Sequence, residues 1–516
     1  MADTKREIER KYEATPETRV PDLTRVGPVA AVEPQGVAEL DAVYYDTPGL
    51  RLAADSVTLR RRTGGADAGW HLKLPVDTGV RDEIQAPLGP TLPPALADLL
   101  RSRVRDDDLV PVVRLRSSRD VRHLLDDHGA LLAELSVDTV HAERLTDGDG
   151  DRDGDGKAPE AAWTEIEVEL ADDADPSVLD AIEKRLKKAG VRPSAAPSKL
   201  ARALKETGGD AQPAAPGPPA ADGTAGATVL AYVREQIGAI IRLDPAVRRD
   251  LPDSVHQMRV ATRRLRSAFK TFRKVLDRQV TDPVGDELKW LAGELGVARD
   301  QEVLAERLRG RLDELPDTLT LGPVHARLRI WSAARESDAR SRALTALDSD
   351  RHLALLATLD RLLTDPPLLK GAAGDPDTVL TKAVLKDYDR LARRVDHALA
   401  LPEGHDRDLA LHEARKAAKR ARYAGEAARP ALGKPAKRFA KRVKAVQSLL
   451  GDHQDSVVAR DTLRTLAIQA HAAGESAFTW GLLYGREGAA GAAHERELPD
   501  AWARASAPEL RAALGH

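Results

Sequence analysis

The sequence contains no cysteine, which excludes a disulfide framework, a thiolate metal site and a cysteine nucleophile. Aromatic residues make up only 3% of its 516 positions, too few to favour a surface built on stacked bases. No apolar run approaches the roughly 20 residues that span a bilayer. The opening stretch MADTKREIER lacks the apolar segment of a secretion signal. A cytoplasmic protein with polar partners and no membrane contact is expected. Net charge is also small, −3, but it averages over regions that differ sharply.

What is present divides the chain. At this length two to four domains are expected. From Thr4 to about Leu204, short alternating segments such as LDAVYYDTPGL, SVTLRRRTGG, GWHLKLP, PVVRLRS, LLAELSVDTV and WTEIEVEL are broken by turn residues, which predicts strands. One helix interrupts them, PSVLDAIEKRLKKAG, with Asp175 as N-cap, Pro176 at its first position and Gly190 as its stop. Residues 206–228 are Gly, Pro and Ala with few large apolar side chains, the composition of a linker. Beyond it helical periodicity prevails. Domain boundaries of 3–205 and 229–515 follow, the second holding two copies of one unit at about 229–370 and 380–515. The copies show when VHQMRVATRRLRSAFKTFRKVL is laid on LHEARKAAKRARYAGEAARPAL, and LGVARDQEVL on LGDHQDSVVA.

In the first half, charge keeps falling on alternate positions. Glu7, Glu9 and Lys11 share one face if EIERKYE is a strand, and Glu165, Glu167 and Glu169 alternate with Ile166, Val168 and Leu170. Arg60 and Arg62 oppose Leu59, Lys73 opposes Leu72 and Leu74, and Arg114 and Arg116 oppose Val113 and Leu115. A single such strand reads as a half-exposed sheet with a solvated face. Solvated faces mix Thr, Ser, Gln and Lys, however, whereas these carry Arg and Glu with little else. A closed barrel with its charged face inward explains the restriction. Arg and Lys would grip phosphate oxygens, and clustered carboxylates would hold a hard cation.

These residues resemble the CYTH domains of the triphosphate tunnel metalloenzymes, over about residues 3–205. ExExK stands at Glu7, Glu9 and Lys11, followed by YYDTPGLRL, LRRR, WHLKLP, RDEI, EIEVE and SKLARAL. The resemblance implies an eight-stranded antiparallel tunnel that binds a triphosphate with Mg²⁺ or Mn²⁺ and, in many members, hydrolyses it. It implies Lys11, Arg60, Arg62, Lys73, Arg81, Arg114, Arg116 and Lys199 as phosphate contacts and Glu7, Glu9, Glu165, Glu167 and Glu169 as metal ligands. Glu7, Glu9, Lys11, Glu165 and Glu167 would form the catalytic set, and Glu83, Glu134 and Asp138 would position water or the arginines. His71 and Leu200 stand where many relatives carry a small hydroxyl residue and an aromatic. The expected activity is inorganic triphosphatase, because the sequence shows no site for a base or nucleoside.

In the second half, His256, Arg259, Arg263, Arg266, Lys270 and Arg273 follow at helical steps with no acid between them, a basic stripe along one helix face. Met258, Ala261, Leu265, Ala268, Phe272 and Val275 hold the same spacing on the opposite side and are expected in the core. The second copy keeps His412, Arg415, Lys419 and Arg422, then departs at Glu426. Singly, each stripe reads as a solvated face. Two symmetric copies predict a shared anion-binding cleft that takes a linear polyanion. The residues resemble the CHAD domain over about residues 225–515. This implies two pseudo-symmetric helical bundles that bind inorganic polyphosphate without cleaving it, with His256 and His412 at the cleft; Arg264 and Arg420, equivalent in the two copies, are counted with the stripes as polyphosphate contacts. The fold class is thus an N-terminal tunnel fused to a C-terminal all-α domain.

Residues 147–160, DGDGDRDGDGKAPE, match the spacing of a calcium-binding EF-hand loop, but no helix flanks them and a solvent loop is expected. Three other functions compete with the triphosphatase. They are a non-catalytic polyphosphate sensor, a nucleotide enzyme such as an adenylate cyclase or thiamine triphosphatase, and nucleic-acid binding by the basic helices, the least expected.

Overall fold

The computed structural model describes residues 3–145, 159–208 and 223–515. Most of the EF-hand-like loop and of the expected linker lies outside the described residues. The chain separates into two units, Met1–Ala215 and Pro216–His516.

The first unit carries β1 (Asp3–Ala14), β2 (Ala31–Asp46), α1 (Arg51–Ala54), β3 (Thr58–Thr63), β4 (Gly69–Asp77), β5 (Val80–Pro87), α2 (Pro94–Val104), β6 (Val110–Leu125), β7 (Leu131–Arg144), β8 (Glu160–Leu170), α3 (Ser177–Lys188) and α4 (Lys199–Glu206). The strands close into an antiparallel ring in the order β1-β5-β4-β3-β2-β6-β7-β8. Two helices decide which way the ring faces. Leu96, Leu99 and Leu100 of α2 cover Leu59, Leu72, Leu74 and Ile84, while Val178, Leu179, Ile182 and Leu186 of α3 cover Tyr12, Leu135, Ile166 and Val168. Each aliphatic side chain so covered is worth about 1.5–3 kcal/mol relative to exposure. With the apolar positions outside under helices, the alternate charged positions turn inward. Helix α3 starts where the sequence predicts: Asp175 Oδ1 accepts from the Ser177 N–H at 2.8 Å, and Gly190 follows its end at φ 87°.

The inner face is not charged throughout. Ala42, Tyr44, Val113, Leu115, Val140 and Trp163 meet Leu200, Ala203 and Leu204 of α4. Helix α4, capped by Ser198 at 3.0 Å, packs onto this apolar stretch. On β6 the alternation therefore runs opposite to the expectation: Val113 and Leu115 point in, so Arg114 and Arg116 point out.

The second unit is helical: α5 (Ala225–Arg248), α6 (Ser254–Thr271), α7 (Arg278–Asp313), α8 (Val324–Asp348), α9 (Asp350–Thr364), α10 (Pro376–Ala400), α11 (His405–Ala427), α12 (Arg429–Ala472), α13 (Phe478–Ala505) and α14 (Pro508–Ala512). The long α12 bends near its start at Gly433, which is non-helical at φ 57°. One continuous apolar core runs through helices α5 to α14. Met258, Ala261, Leu265, Ala268, Phe272 and Val275 are all buried in it. Glycine has a steric role in the first LG segment: a Cβ on Gly296 would lie 3.1 Å from the Arg259 guanidinium, whereas one on Gly451 would meet that of Arg415 at an ordinary contact distance of 3.6 Å.

Candidate functional site

The ring encloses a cavity of about 210 Å³. Lys5, Lys11, Arg60, Arg62, Lys73, Arg81, Arg119 and Lys199 line it with Glu7, Glu9, Asp67, Glu83, Glu134, Glu167 and Glu169. One aromatic side chain, Tyr44, is among the lining. The strand register makes this mixture: Lys11 faces Glu167 and Glu9 faces Glu169 across β1 and β8, Glu7 faces Arg81 across β1 and β5, and Lys73 faces Glu83 across β4 and β5.

Like charges also meet across strands, which costs free energy unless a cation intervenes. Asp138 lies opposite Glu165 on β7 and β8. The intervening cation is Lys199, whose Nζ lies 2.9 Å from Asp138, 2.8 Å from Glu165 and 2.6 Å from Glu167. Burial alone would neutralise this lysine, but Asp138, Glu167 and Glu165 raise its pKa instead. Arg119 completes the cluster, donating to both oxygens of Asp138 at 2.7 and 2.8 Å and to Glu167 at 2.9 Å. Despite burial, Lys11, Lys199 and Arg119 hold the Glu167 carboxyl well below the usual range.

Elsewhere the acids and bases pair off. Lys73 Nζ donates to Glu7 at 2.6 Å, Lys11 to Glu9 at 3.0 Å and also to Glu167, and Lys5 to Glu169 at 2.5 Å. Glu83 lies 2.9 Å from His71 Nδ1 and 3.6 Å from Arg60. Burial pushes Glu7 up to about 7, offset by Lys73 and reinforced by Glu83. The five glutamates expected to bind metal thus do not form one cage. Glu165 and Glu167 join Asp138, their ligand atoms all within 4.8 Å of one another. Glu7, Glu9 and Glu169 sit among lysines.

Of the expected phosphate contacts, Lys11, Arg60, Arg62, Lys73, Arg81 and Lys199 line the cavity. Arg114 and Arg116 do not. They line a separate hollow with His141 and Glu143; Arg114 is paired with Asp41 at 2.5 Å and Arg116 lies 3.6 Å from Glu143. Their place in the cavity is taken by Arg119, which the sequence reading passed over. Counting in steps of two from Val113 through Leu115 and Ser117 would have found it. Lys5 was also missed, although it continues the alternation of Glu7, Glu9 and Lys11.

In the helical unit α6 packs against α11, which brings the two stripes together. Arg259, Arg263, Arg415 and Lys419 act on one another electrostatically, and burial together with Arg415 and Arg263 pushes Lys419 down to about 7. His412 hydrogen-bonds Gln454 at 2.7 Å, and burial followed by Lys416 lowers its pKa. His256 heads α6, half-buried. Arg266 feels Asp286, and Lys270 lies within reach of Arg266 and Arg420; Arg273 also acts on Arg420. Several of the expected contacts are engaged between or along helices: Arg259 lies 2.9 Å from Asp300 and Arg415 3.7 Å from Asp455. Arg264 and Arg422 both bind Glu426, at 2.9 and 3.0 Å, so the apparent departure in the second stripe is the partner of the first. Arg420 binds Asp387 of α10 at 2.8 Å.

Comparison with known proteins agrees with this geometry. The CYTH domain family matches residues 5–204 and the CHAD domain family residues 231–464. The chain is a CYTH–CHAD protein. It is 40% identical over 488 residues to an uncharacterized protein of Mycobacterium tuberculosis strain H37Rv, covering 93% of this chain and 92% of that one. Among solved structures it is similar to PptA from Streptomyces chartreusis, at 25% identity and TM-score 0.47 over 54% of this chain and 98% of that one. It is also similar to the CHAD domain from the plant Ricinus communis, at 26% identity and TM-score 0.40 over 58% of this chain and 95% of that one. Members of the CYTH family are metal-dependent triphosphate-tunnel enzymes, and the CYTH and CHAD domains together fit a triphosphate or polyphosphate ligand. Among the described residues no helix is long and apolar enough to cross a membrane.

Proposed function

We propose that the CYTH domain hydrolyses inorganic tripolyphosphate to pyrophosphate and phosphate, and that the CHAD domain binds inorganic polyphosphate. The observation that carries the first half is the enclosed ring of cations and carboxylates. Its volume of about 210 Å³ is below the 300–1,000 Å³ usual for drug-sized ligands. Its sole aromatic is Tyr44 among the lining residues, which leaves a base without a stacking platform and favours an inorganic chain over a nucleotide.

The donor set suits Mg²⁺ or Mn²⁺: Asp138, Glu165 and Glu167 offer hard carboxylate oxygens close together. A bound divalent ion supplies charge neutralisation at the phosphoryl oxygens and lowers the barrier to attack by water. The chain's own residues do the positioning. Arg60, Arg62 and Arg119 present guanidinium forks to the phosphoryl oxygens, and Lys11, Lys73 and Lys199 add point charges. Glu83 orients Lys73 and Arg60. All of these charges stand in place before substrate arrives, so little reorganisation is needed in the transition state.

The test is phosphate release by the full chain with Mg²⁺ or Mn²⁺ on tripolyphosphate, ATP and thiamine triphosphate. Tripolyphosphate is expected to turn over fastest, and Glu9→Gln to lower kcat/KM about 10²-fold or more. Absence of release from tripolyphosphate with either ion, while the protein still binds it, would leave polyanion sensing as the function.

For the CHAD domain, the cations massed around Lys419 support polyanion binding. A bound polyanion returns Lys419 toward its ordinary range, so binding takes up a proton between about pH 7 and the ordinary lysine pKa of about 10.4. Polyphosphate affinity is therefore expected to fall as pH rises across that window. In the free protein the unfolded state holds more protons there, so stability rises with pH instead. Calorimetry of polyphosphate binding in buffers of different ionisation enthalpy reads the proton uptake directly; Lys419→Met removes it.

A further inference from the structure

One anion in the tunnel belongs to no strand. Asp67 lies in the turn between β3 and β4, and its carboxylate is ion-paired with Arg62. The Arg62 side chain is 6% exposed and that of Asp67 41%, so a tunnel cation is held by a turn residue that reaches solvent.

The backbone of this turn is pinned at two points. Gly64, at φ 79°, lies against β2, where a Cβ would come within 2.1 Å of the Glu39 carbonyl oxygen. The Asp67 carbonyl accepts from His71 Nε2 at 2.8 Å. His71 is 1% exposed and is fixed on its other side by Glu83. The Asp67 carboxylate is therefore free to rotate off Arg62 while the turn itself stays in place.

We propose that Asp67 competes with the substrate for Arg62, and so sets how tightly the tunnel holds a phosphate chain and how quickly the product leaves. This rests on the reading of the tunnel as a triphosphate site. A buried guanidinium left without a partner is costly, and Asp67 spares that cost whenever no phosphoryl oxygen is there. The same contact must be given up when a phosphoryl group arrives, which lowers affinity for any anion that occupies Arg62. It also supplies a replacement partner as product departs.

The experiment titrates tripolyphosphate into the full-length wild type, Asp67→Asn and Asp67→Ser, with calorimetry for Kd and phosphate release for KM and kcat. Sites outside the tunnel contribute equally to all three proteins, so the difference isolates Asp67. Both charge-removing variants are expected to bind about three- to tenfold tighter, the size of one partly screened charge pair, with KM lowered and kcat unchanged or lower. Asp67→Glu keeps the anion and is expected to stay near wild type. A merely structural turn residue would raise KM and lower thermal stability. Wild-type binding with unchanged or weaker binding by both folded variants overturns the proposal and leaves the tunnel reading standing. Loss of folding in both, with Asp67→Glu intact, overturns it in favour of a structural anchor. No binding by any of the proteins overturns the tunnel reading and the proposal with it.

Discussion

Replacing Lys199 by methionine is expected to destabilise the tunnel unit by about 3 kcal/mol and to abolish phosphate release from tripolyphosphate. Methionine matches the stem of lysine in shape, so the change removes mainly the charge. Three carboxylates, Asp138, Glu165 and Glu167, converge on that ammonium within 2.9 Å. Without it they retain only Arg119 and Lys11 as cations, plus the Trp163 N–H that binds Glu165 at 2.6 Å. Two cations for three buried carboxylates place the loss at the low end of what breaking a buried pair costs.

The same variant separates a structural from a metal-binding acidic cluster. With the ammonium gone, the three carboxylates become a better site for a hard divalent cation. Mg²⁺ or Mn²⁺ is then expected to raise the thermal stability of Lys199→Met by mass action, and by more than that of the wild type, in which the Lys199 ammonium competes with the ion for the same three carboxylates. Thermal denaturation of the full chain, with and without the ions, reads both effects.

Much of this site is legible in the sequence because strand alternation is a strict period of two. Glu7, Glu9 and Lys11, or Glu165 and Glu167, must share a face once their segments are strands, and the apolar neighbours that α3 covers fix that face as the inner one. On β6 the same rule cannot choose. Val113 and Leu115 alternate with Arg114 and Arg116 as cleanly as on any other strand, yet the apolar set points inward. The deciding element is α4, whose Leu200, Ala203 and Leu204 are distant in sequence and supply the apolar lining that the inner face of β6 packs against. A contact made only in the closed ring overrides the local pattern.

Asp67 is hidden for a related reason. Turn residues carry no period, and its pairing with Arg62 depends on how the β3–β4 turn folds over the barrel. In the helical unit the core side of α6 is legible from 3.6-residue spacing alone. The pairing of Arg264 with Glu426, 162 residues apart, is not. It exists only because α6 and α11 lie together, and it makes a structural contact out of an arginine that the stripe alone would count as free.

Everything proposed for the tunnel depends on which side chains of β6 face the cavity, and the structure assigns that role to Arg119. Arg119 binds Asp138 through both arms of its fork and reaches Glu167, at the same lining as Lys199 and Glu134. Removing it takes away a phosphate contact and leaves Asp138 with one cation fewer, so Arg119→Ala is expected to lower kcat/KM about 10²- to 10³-fold. Arg114 and Arg116 belong to the outer hollow, with side chains 39% and 56% exposed, and their loss is expected to matter little.

The most direct measurement is therefore kcat/KM on tripolyphosphate for full-length Arg119→Ala beside the double variant Arg114→Ala, Arg116→Ala, each checked for folding by circular dichroism. The account predicts a loss of about 10²-fold or more for the first and a change within about twofold for the second, the scale of exposed charges. A double variant that loses activity while Arg119→Ala keeps it would contradict the inward face assigned to β6, and with it the tunnel as described.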